Sequence, residues 1–228
     1  MPFLEAWATE RSAPPFCAVL GEYGIGKTTT LKVLTRQLLQ RRRQGEDVPL
    51  PTFIDLRFYS ETVRRGEVPT LDRLLAEILA RAWIVSDRPP ITPQDIQRMV
   101  REQGALLIFD GLDEKLVHLD EPQAQEFIRQ LWSALPPHRL RSPRPGDPSG
   151  AAAVEPAAGA RAAAPSPGRL LFSCRAHYFK TIRDQNAAFT GQDRDSVQAG
   201  DYRACVLLPF NEQQILPACR ARVLRLGG

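Results

Sequence analysis

Gly21-Glu22-Tyr23-Gly24-Ile25-Gly26-Lys27-Thr28 fits the pattern G-x-x-x-x-G-K-[ST] at every fixed position. The residue types follow from the task of holding phosphate. Glycines let the backbone fold so that successive N–H groups point inward at an anion. A helix that opens at Lys27 aims its first amides and its dipole at the same place. Lys27 adds a mobile positive charge for the terminal phosphates, Thr28 a hydroxyl for Mg²⁺, and Thr29 a second hydroxyl for the innermost phosphate. The flanks support this reading. Phe16 to Leu20 (Phe-Cys-Ala-Val-Leu) is a continuous apolar run that stops at Gly21, as a strand buried on both faces does. Beyond Lys27, the leucines Leu31, Leu34, Leu38 and Leu39 share one helical face. Three arginines, Arg41 to Arg43, close that helix and complement its macrodipole. The unit is strand, phosphate-binding loop, helix, with Gly21, Glu22, Tyr23, Gly24, Ile25, Gly26, Lys27, Thr28 and Thr29 as the phosphate-binding set.

Further along, Pro51 to Tyr59 is rich in aromatic and branched residues and predicts a second strand. A helix follows over about Thr70 to Trp83, with Thr70 as cap and a leucine-isoleucine stripe. The next spans about Thr92 to Gln103, with Thr92 as cap, Pro93 in the first turn and Gly104 as stop. Ala105 to Phe109 is a third buried strand, and it runs straight into Asp110-Gly111-Leu112-Asp113-Glu114. Open α/β sheets bind ligands beyond the carboxyl ends of their strands, where these three carboxylates stand. Asp110 suits the Mg²⁺ shell, because that ion wants hard oxygen ligands and keeps several waters. Asp113 and Glu114 are placed to orient or deprotonate an attacking water. A helix is expected over about Glu121 to Leu135. Residues 136–168 hold 8 of the 20 prolines and 4 of the 15 glycines, with almost no large apolar side chain. Such a composition cannot offset the entropy of ordering, so it reads as a disordered insertion. Leu170 to Ser173 resumes the strand pattern, Ala204 to Leu208 gives another strand, and a short helix starts near Asn211. Strands alternating with helices predict an α/β fold, a parallel sheet flanked by helices on both faces.

Composition is that of an ordinary globular chain, with 43% hydrophobic and 25% charged residues. The formal charge of +4 comes from a near-balance of 30 basic and 26 acidic residues, which gives no argument for nucleic acid. Cys17, Cys174, Cys205 and Cys219 form no C-x-x-C spacing, so they read as reduced thiols rather than a zinc site. No signal peptide and no run of ~20 apolar residues is present, so no membrane partner is expected and the setting reads as cytoplasmic.

With these motifs in place, the sequence resembles the NACHT group of signal-transduction NTPases (STAND ATPases, relatives of the AAA+ class). The loop from Gly21 to Thr29 has that family's form. So does Asp110-Gly111-Leu112-Asp113-Glu114, with its small residue after the first aspartate and its second acidic pair. The strand Leu170-Leu171-Phe172-Ser173-Cys174-Arg175 is similar to the family's sensor strand, which ends in an arginine. Leu207 to Ile215 resembles the lead into the first helical subdomain. The resemblance implies a P-loop NTPase fold, ATP/ADP and Mg²⁺ as ligands, Arg175 as sensor of the γ-phosphate, slow hydrolysis and nucleotide-dependent self-association. An arginine at a strand end beside a phosphate site is also a sensible charge stabiliser on its own chemistry. The organisation expected is a lead-in over 1–15, the NTPase domain over 16–208, and the start of a truncated helical subdomain over 209–228. The winged-helix domain of the family, with its nucleotide-locking histidine, has no counterpart, so the chain reads as a nucleotide-binding core alone. Two alternatives stay open: a truncated module that binds without turnover, and a P-loop kinase whose clamping arginines would be Arg64 and Arg65.

Overall fold

The computed structural model describes residues 2–59, 68–82, 89–135, 168–175 and 202–209. Within them, five strands run β1 (Phe16–Leu20), β2 (Pro51–Asp55), β3 (Leu106–Asp110), β4 (Arg169–Cys174) and β5 (Tyr202–Val206). All neighbours pair in parallel, in the order β2-β3-β4-β1-β5. The helices are α1 (Pro2–Thr9), α2 (Lys27–Arg43), α3 (Leu71–Ala82), α4 (Pro93–Gln103), α5 (Leu112–Leu116) and α6 (Glu121–Trp132). The expected α/β fold is therefore what the chain forms.

The apolar runs of the strands are continuous because both faces of the sheet are covered. On one face Leu31, Leu34 and Leu38 of α2 and Leu4 and Trp7 of α1 pack on Cys17, Val19, Leu106, Ile108 and Leu171. On the other, α3, α4, α5 and α6 bury their stripes against Phe16, Ala18, Leu107, Phe109, Leu170 and Phe172. The leucine stripe of α2 is thus sheet-facing, as its spacing predicts; Leu39 lies at its margin. No described helix is long and apolar enough to cross a membrane.

Several boundaries differ from expectation, each for a local reason. Residues 1–15 are not a plain lead-in. Residues 2–9 form α1, fixed by long-range contacts that composition does not reveal. Trp7 is fully buried and its indole N–H donates to the Pro14 carbonyl at 2.9 Å. The Arg169 guanidinium lies 5.8 Å over the same ring and donates to the carbonyls of Ala8 and Glu10. The second strand stops at Asp55, not Tyr59. The Asp55 carboxylate accepts from the Arg57 backbone N–H at 3.1 Å and bends residues 56–58 into a 3₁₀ turn. The acidic stretch after Asp110, for which no element was expected, forms the short helix α5, which carries Asp113 and Glu114. By contrast, α4 has Thr92 as cap, Pro93 in the first turn and Gly104 at the end, as read from sequence; the structure adds Asp95, which completes a capping box with Thr92.

The insertion expected over 136–168 lies outside the described residues except at Gly168, which is buried and belongs to the fold. A Cβ at that position would fall 2.0 Å from the Val100 carbonyl oxygen, so β4 can enter beside α4 only with glycine there. The helix expected from Asn211, and Arg64, Arg65 and Cys219, also lie outside the described residues. The other cysteines are free thiols: Cys17 and Cys174 are buried and Cys205 is half-buried.

Candidate functional site

Parallel strands put their carboxyl ends on one edge of the sheet, and this edge gathers the chemistry. The ladder places Asp55 opposite Asp110 and Leu20 opposite Cys174, so the glycine loop, both aspartates and Arg175 leave the sheet together. The loop is tied to β4 by the Gly21 N–H donating to the Cys174 carbonyl at 3.2 Å. Gly26 caps α2 with φ of 101°, a left-handed conformation that a side chain disfavours. No side chain caps α2, whereas α4 and α6 each close their first turn with a complete capping box. The first-turn amides of α2 are thus directed at the loop, the arrangement that holds anions. Lys27 bends back over the loop and its Nζ donates to the carbonyls of Gly21 at 2.7 Å and Glu22 at 3.1 Å. Tyr23 stands out from the loop, 82% exposed, and Thr29 lies on the exposed side of the first turn.

Thr28 joins the loop to the acidic cluster. Its hydroxyl donates to Asp110 Oδ2 at 2.7 Å, across 82 positions of sequence. Asp110 is 1% exposed. Its other oxygen accepts from the Ser173 hydroxyl, and that hydroxyl in turn accepts the Gly111 N–H at 2.9 Å. Ser173 therefore fixes both the carboxylate and the backbone turn that follows it. In the sequence Ser173 stands out only as part of a strand; its role comes from its position on β4, the neighbour of β3, beyond the reach of local pattern.

Arg57 is the second residue that sequence reading missed. Its guanidinium grips Asp55 with Nε–Oδ1 at 2.8 Å and Nη2–Oδ2 at 2.6 Å, and stands 3.9 Å from Asp110 Oδ2. Paired first with Asp55 and then facing Asp110 and Glu114, Arg57 is held above its ordinary pKa. For Asp55, burial raises the carboxyl, but the bonds from Arg57 outweigh it and leave the group below its usual value. A carboxylate depressed on folding stabilises the fold above its unfolded pKa of ~3.9, and the contribution is lost as pH falls through the lower folded value. Urea unfolding of the wild type and Asp55→Asn from pH 6 to pH 3 checks this. The stability gap between the two is expected to narrow only below about pH 4.

Asp113 and Arg175 were expected as separate catalytic groups. The structure brings them together, with Nε–Oδ2 at 2.6 Å and Asp113 nearly buried. Arg175 also lies 5.2 Å over the Tyr23 ring, so one guanidinium links the acidic helix, the sensor-like strand end and the glycine loop. Glu114, on the same turn of α5, is exposed toward solvent. The Asp113 carboxylate is occupied by Arg175, and Glu114 is the carboxylate of α5 open to a water molecule.

The NACHT domain model matches residues 16–142, more than half of the chain. The chain belongs to the NACHT family. The match covers the glycine loop and the acidic cluster and stops short of β4. The fold of this NACHT chain is similar to that of solved structures. The Orc1 protein of Aeropyrum pernix, determined in complex with DNA, is similar at a TM-score of 0.51 and 11% identity. The likeness covers 98% of this chain and 48% of that one. The Orc2 protein of the same organism is similar at a TM-score of 0.48 and 15% identity, covering 97% of this chain and 48% of its own. The NACHT chain thus spans about half the length of the solved structures it matches. Comparison with curated protein sequences returns no match.

Proposed function

We propose that this NACHT chain is an ATP-binding switch that takes ATP or ADP with Mg²⁺, hydrolyses ATP slowly, and changes its self-association with the nucleotide held. The observation that carries the proposal is the Thr28–Asp110 contact of 2.7 Å beneath an uncapped helix N-terminus. It brings a hydroxyl and a carboxylate, both hard oxygen donors, close to the spacing that neighbouring ligands of an octahedral magnesium ion have, about 3.0 Å for ~2.1 Å bonds. The donor set therefore fits the ion. Bound there, magnesium would neutralise charge on the β- and γ-phosphates.

The residues of the chain then divide the remaining work. Amides of residues 24–28 and the N-terminus of α2 bind the phosphates. Lys27 exchanges its two loop carbonyls for the terminal phosphate oxygens, the stronger acceptors for an ammonium. Ser173 holds Asp110 in place. Arg175, anchored on Asp113 beside Tyr23, meets the outermost phosphate. Glu114 orients the attacking water. Adenine as the base, a signalling role and a cytoplasmic setting rest on the family alone.

Two variants test the assignment. Asp110→Asn removes the charge and keeps one acceptor oxygen, with the amide N–H2 taking the place of the oxygen that faces Thr28 or Ser173; nucleotide affinity is expected to become nearly independent of Mg²⁺. Glu114→Gln is expected to slow steady-state hydrolysis by ~10²-fold while ATP affinity stays within about twofold. If Glu114→Gln hydrolyses at the wild-type rate, the base lies elsewhere. If the wild type binds but does not hydrolyse, the chain is a binding module.

A further inference from the structure

Half of the 14 arginines among the described residues meet an acid: Arg11 with Asp47, Arg41 with Glu46, Arg57 with Asp55, Arg81 with Glu77, Arg98 with Asp95, Arg129 with Glu126 and Arg175 with Asp113. One surface has none of these pairs. Along the outer side of α2, Lys32, Arg36 and Arg43 line a single open groove of about 650 Å³, with no carboxylate among its lining residues. None of the three has an ion-pair partner among the described residues. The apolar part of the floor is Leu39 and Phe53, beside the polar Thr35 and Gln40, and the Lys32 ammonium lies 5.9 Å over the Phe53 ring.

Phe53 belongs to β2, the end strand of the sheet, which pairs with β3 along one side and with no described strand along the other. The Leu106 N–H donates to the Leu50 carbonyl at 2.9 Å. Alternation along the ladder then turns the N–H and C=O of Phe53 away from β3, toward the groove side of the edge. Concentrated like charge, a partly apolar floor and an open strand edge therefore coincide in one place.

We propose that this groove docks an extended, acidic polypeptide segment, which adds to the edge of β2 and sets its carboxylates against Lys32, Arg36 and Arg43. The spacing fits. Lys32 and Arg36 are one helical turn apart, a rise of ~6 Å, and alternate residues of a strand repeat at ~6.6 Å. Lys32 to Arg43 spans ~16 Å, the length of about five extended residues. Residues at alternate positions present acids to the helix, and those between them point to the opposite face of the sheet. A nucleic-acid backbone would use the three cations but leave the apolar part of the floor and the strand edge idle, so a polypeptide is the better occupant. Neither Lys27 nor Asp110 lines the groove, so docking is separable from the nucleotide site.

The test uses the full chain and a short fluorescein-labelled peptide alternating glutamate and valine, followed by anisotropy. Saturable binding is expected, weakening as salt rises. Arg36→Glu with Arg43→Glu should weaken it at least ~10-fold and should gain affinity for the matching lysine-valine peptide. That gain reads out the groove even if the variant is somewhat less stable. Amide exchange at Phe53 should slow when the glutamate-valine peptide binds. Absence of saturable binding, an unchanged affinity in the charge-reversed variant, or tighter binding of a single-stranded 20-mer oligonucleotide than of the peptide would each overturn the proposal.

Discussion

Lys27→Ala is expected to weaken binding of both ATP and ADP by at least ~100-fold, about 2.7 kcal/mol, with little change in the urea midpoint of the nucleotide-free chain. The asymmetry follows from where Lys27 sits. Its ammonium rests on two loop carbonyls, Gly21 and Glu22, half-exposed at the mouth of the loop. Neutral acceptors hold an ammonium weakly, and solvent replaces them at small cost. Phosphate oxygens are negatively charged, so the ammonium there meets an opposite charge rather than a carbonyl dipole. The lysine therefore contributes little to the fold and much to the ligand. Anisotropy of a fluorescent ATP analogue, alongside urea unfolding, separates the two. A variant that loses binding and stability together would show Lys27 to be a structural strap.

Gly168→Ala is expected to be the most damaging single methyl in the described structure, destabilising by about 3 kcal/mol or more. The added Cβ would stand 2.0 Å from the Val100 carbonyl oxygen, 2.8 Å from its carbon and 2.9 Å from its Cγ1. Two of these three atoms are backbone and cannot rotate aside. Relief requires α4 or the start of β4 to shift. β4 is pinned there by Arg169 N–H on the Ala105 carbonyl and Leu170 N–H on the Pro15 carbonyl. Since β4 also carries Ser173, which holds Asp110, the shift should reach the nucleotide site as weaker Mg²⁺-dependent binding. Thermal or urea unfolding measures the first effect; a variant within ~0.5 kcal/mol of wild type would mean that the entry to β4 is loose.

How much of this was legible in the sequence depends on the distance over which each feature is specified. The glycine loop, α2 and the third strand are written locally, and each lies where the pattern places it. The helix at 93–103 is bounded by residues that act within one turn, Thr92, Pro93, Asp95 and Gly104. Features held by distant partners were not legible. α1 depends on Arg169, 161 positions away, reaching the Ala8 carbonyl. Gly168 looks like the tail of a proline-alanine tract, and only its contact with Val100 shows it to be core. Within the site, the loop residues and Asp110 announce themselves by motif. Arg57 and Ser173 do not, because the order β2-β3-β4 is what brings them against Asp110. The pairing of Asp113 with Arg175 is of the same kind: each residue was visible alone, and their contact was not.

Calorimetric titration of the wild-type chain with ATP, in the presence and absence of Mg²⁺, addresses the central claim most directly. One saturable site is expected with magnesium, with affinity falling at least ~10-fold without it. An absence of binding heat under both conditions, in a chain shown to be folded, would contradict the assignment of Lys27, Thr28 and Asp110 as a nucleotide-magnesium site.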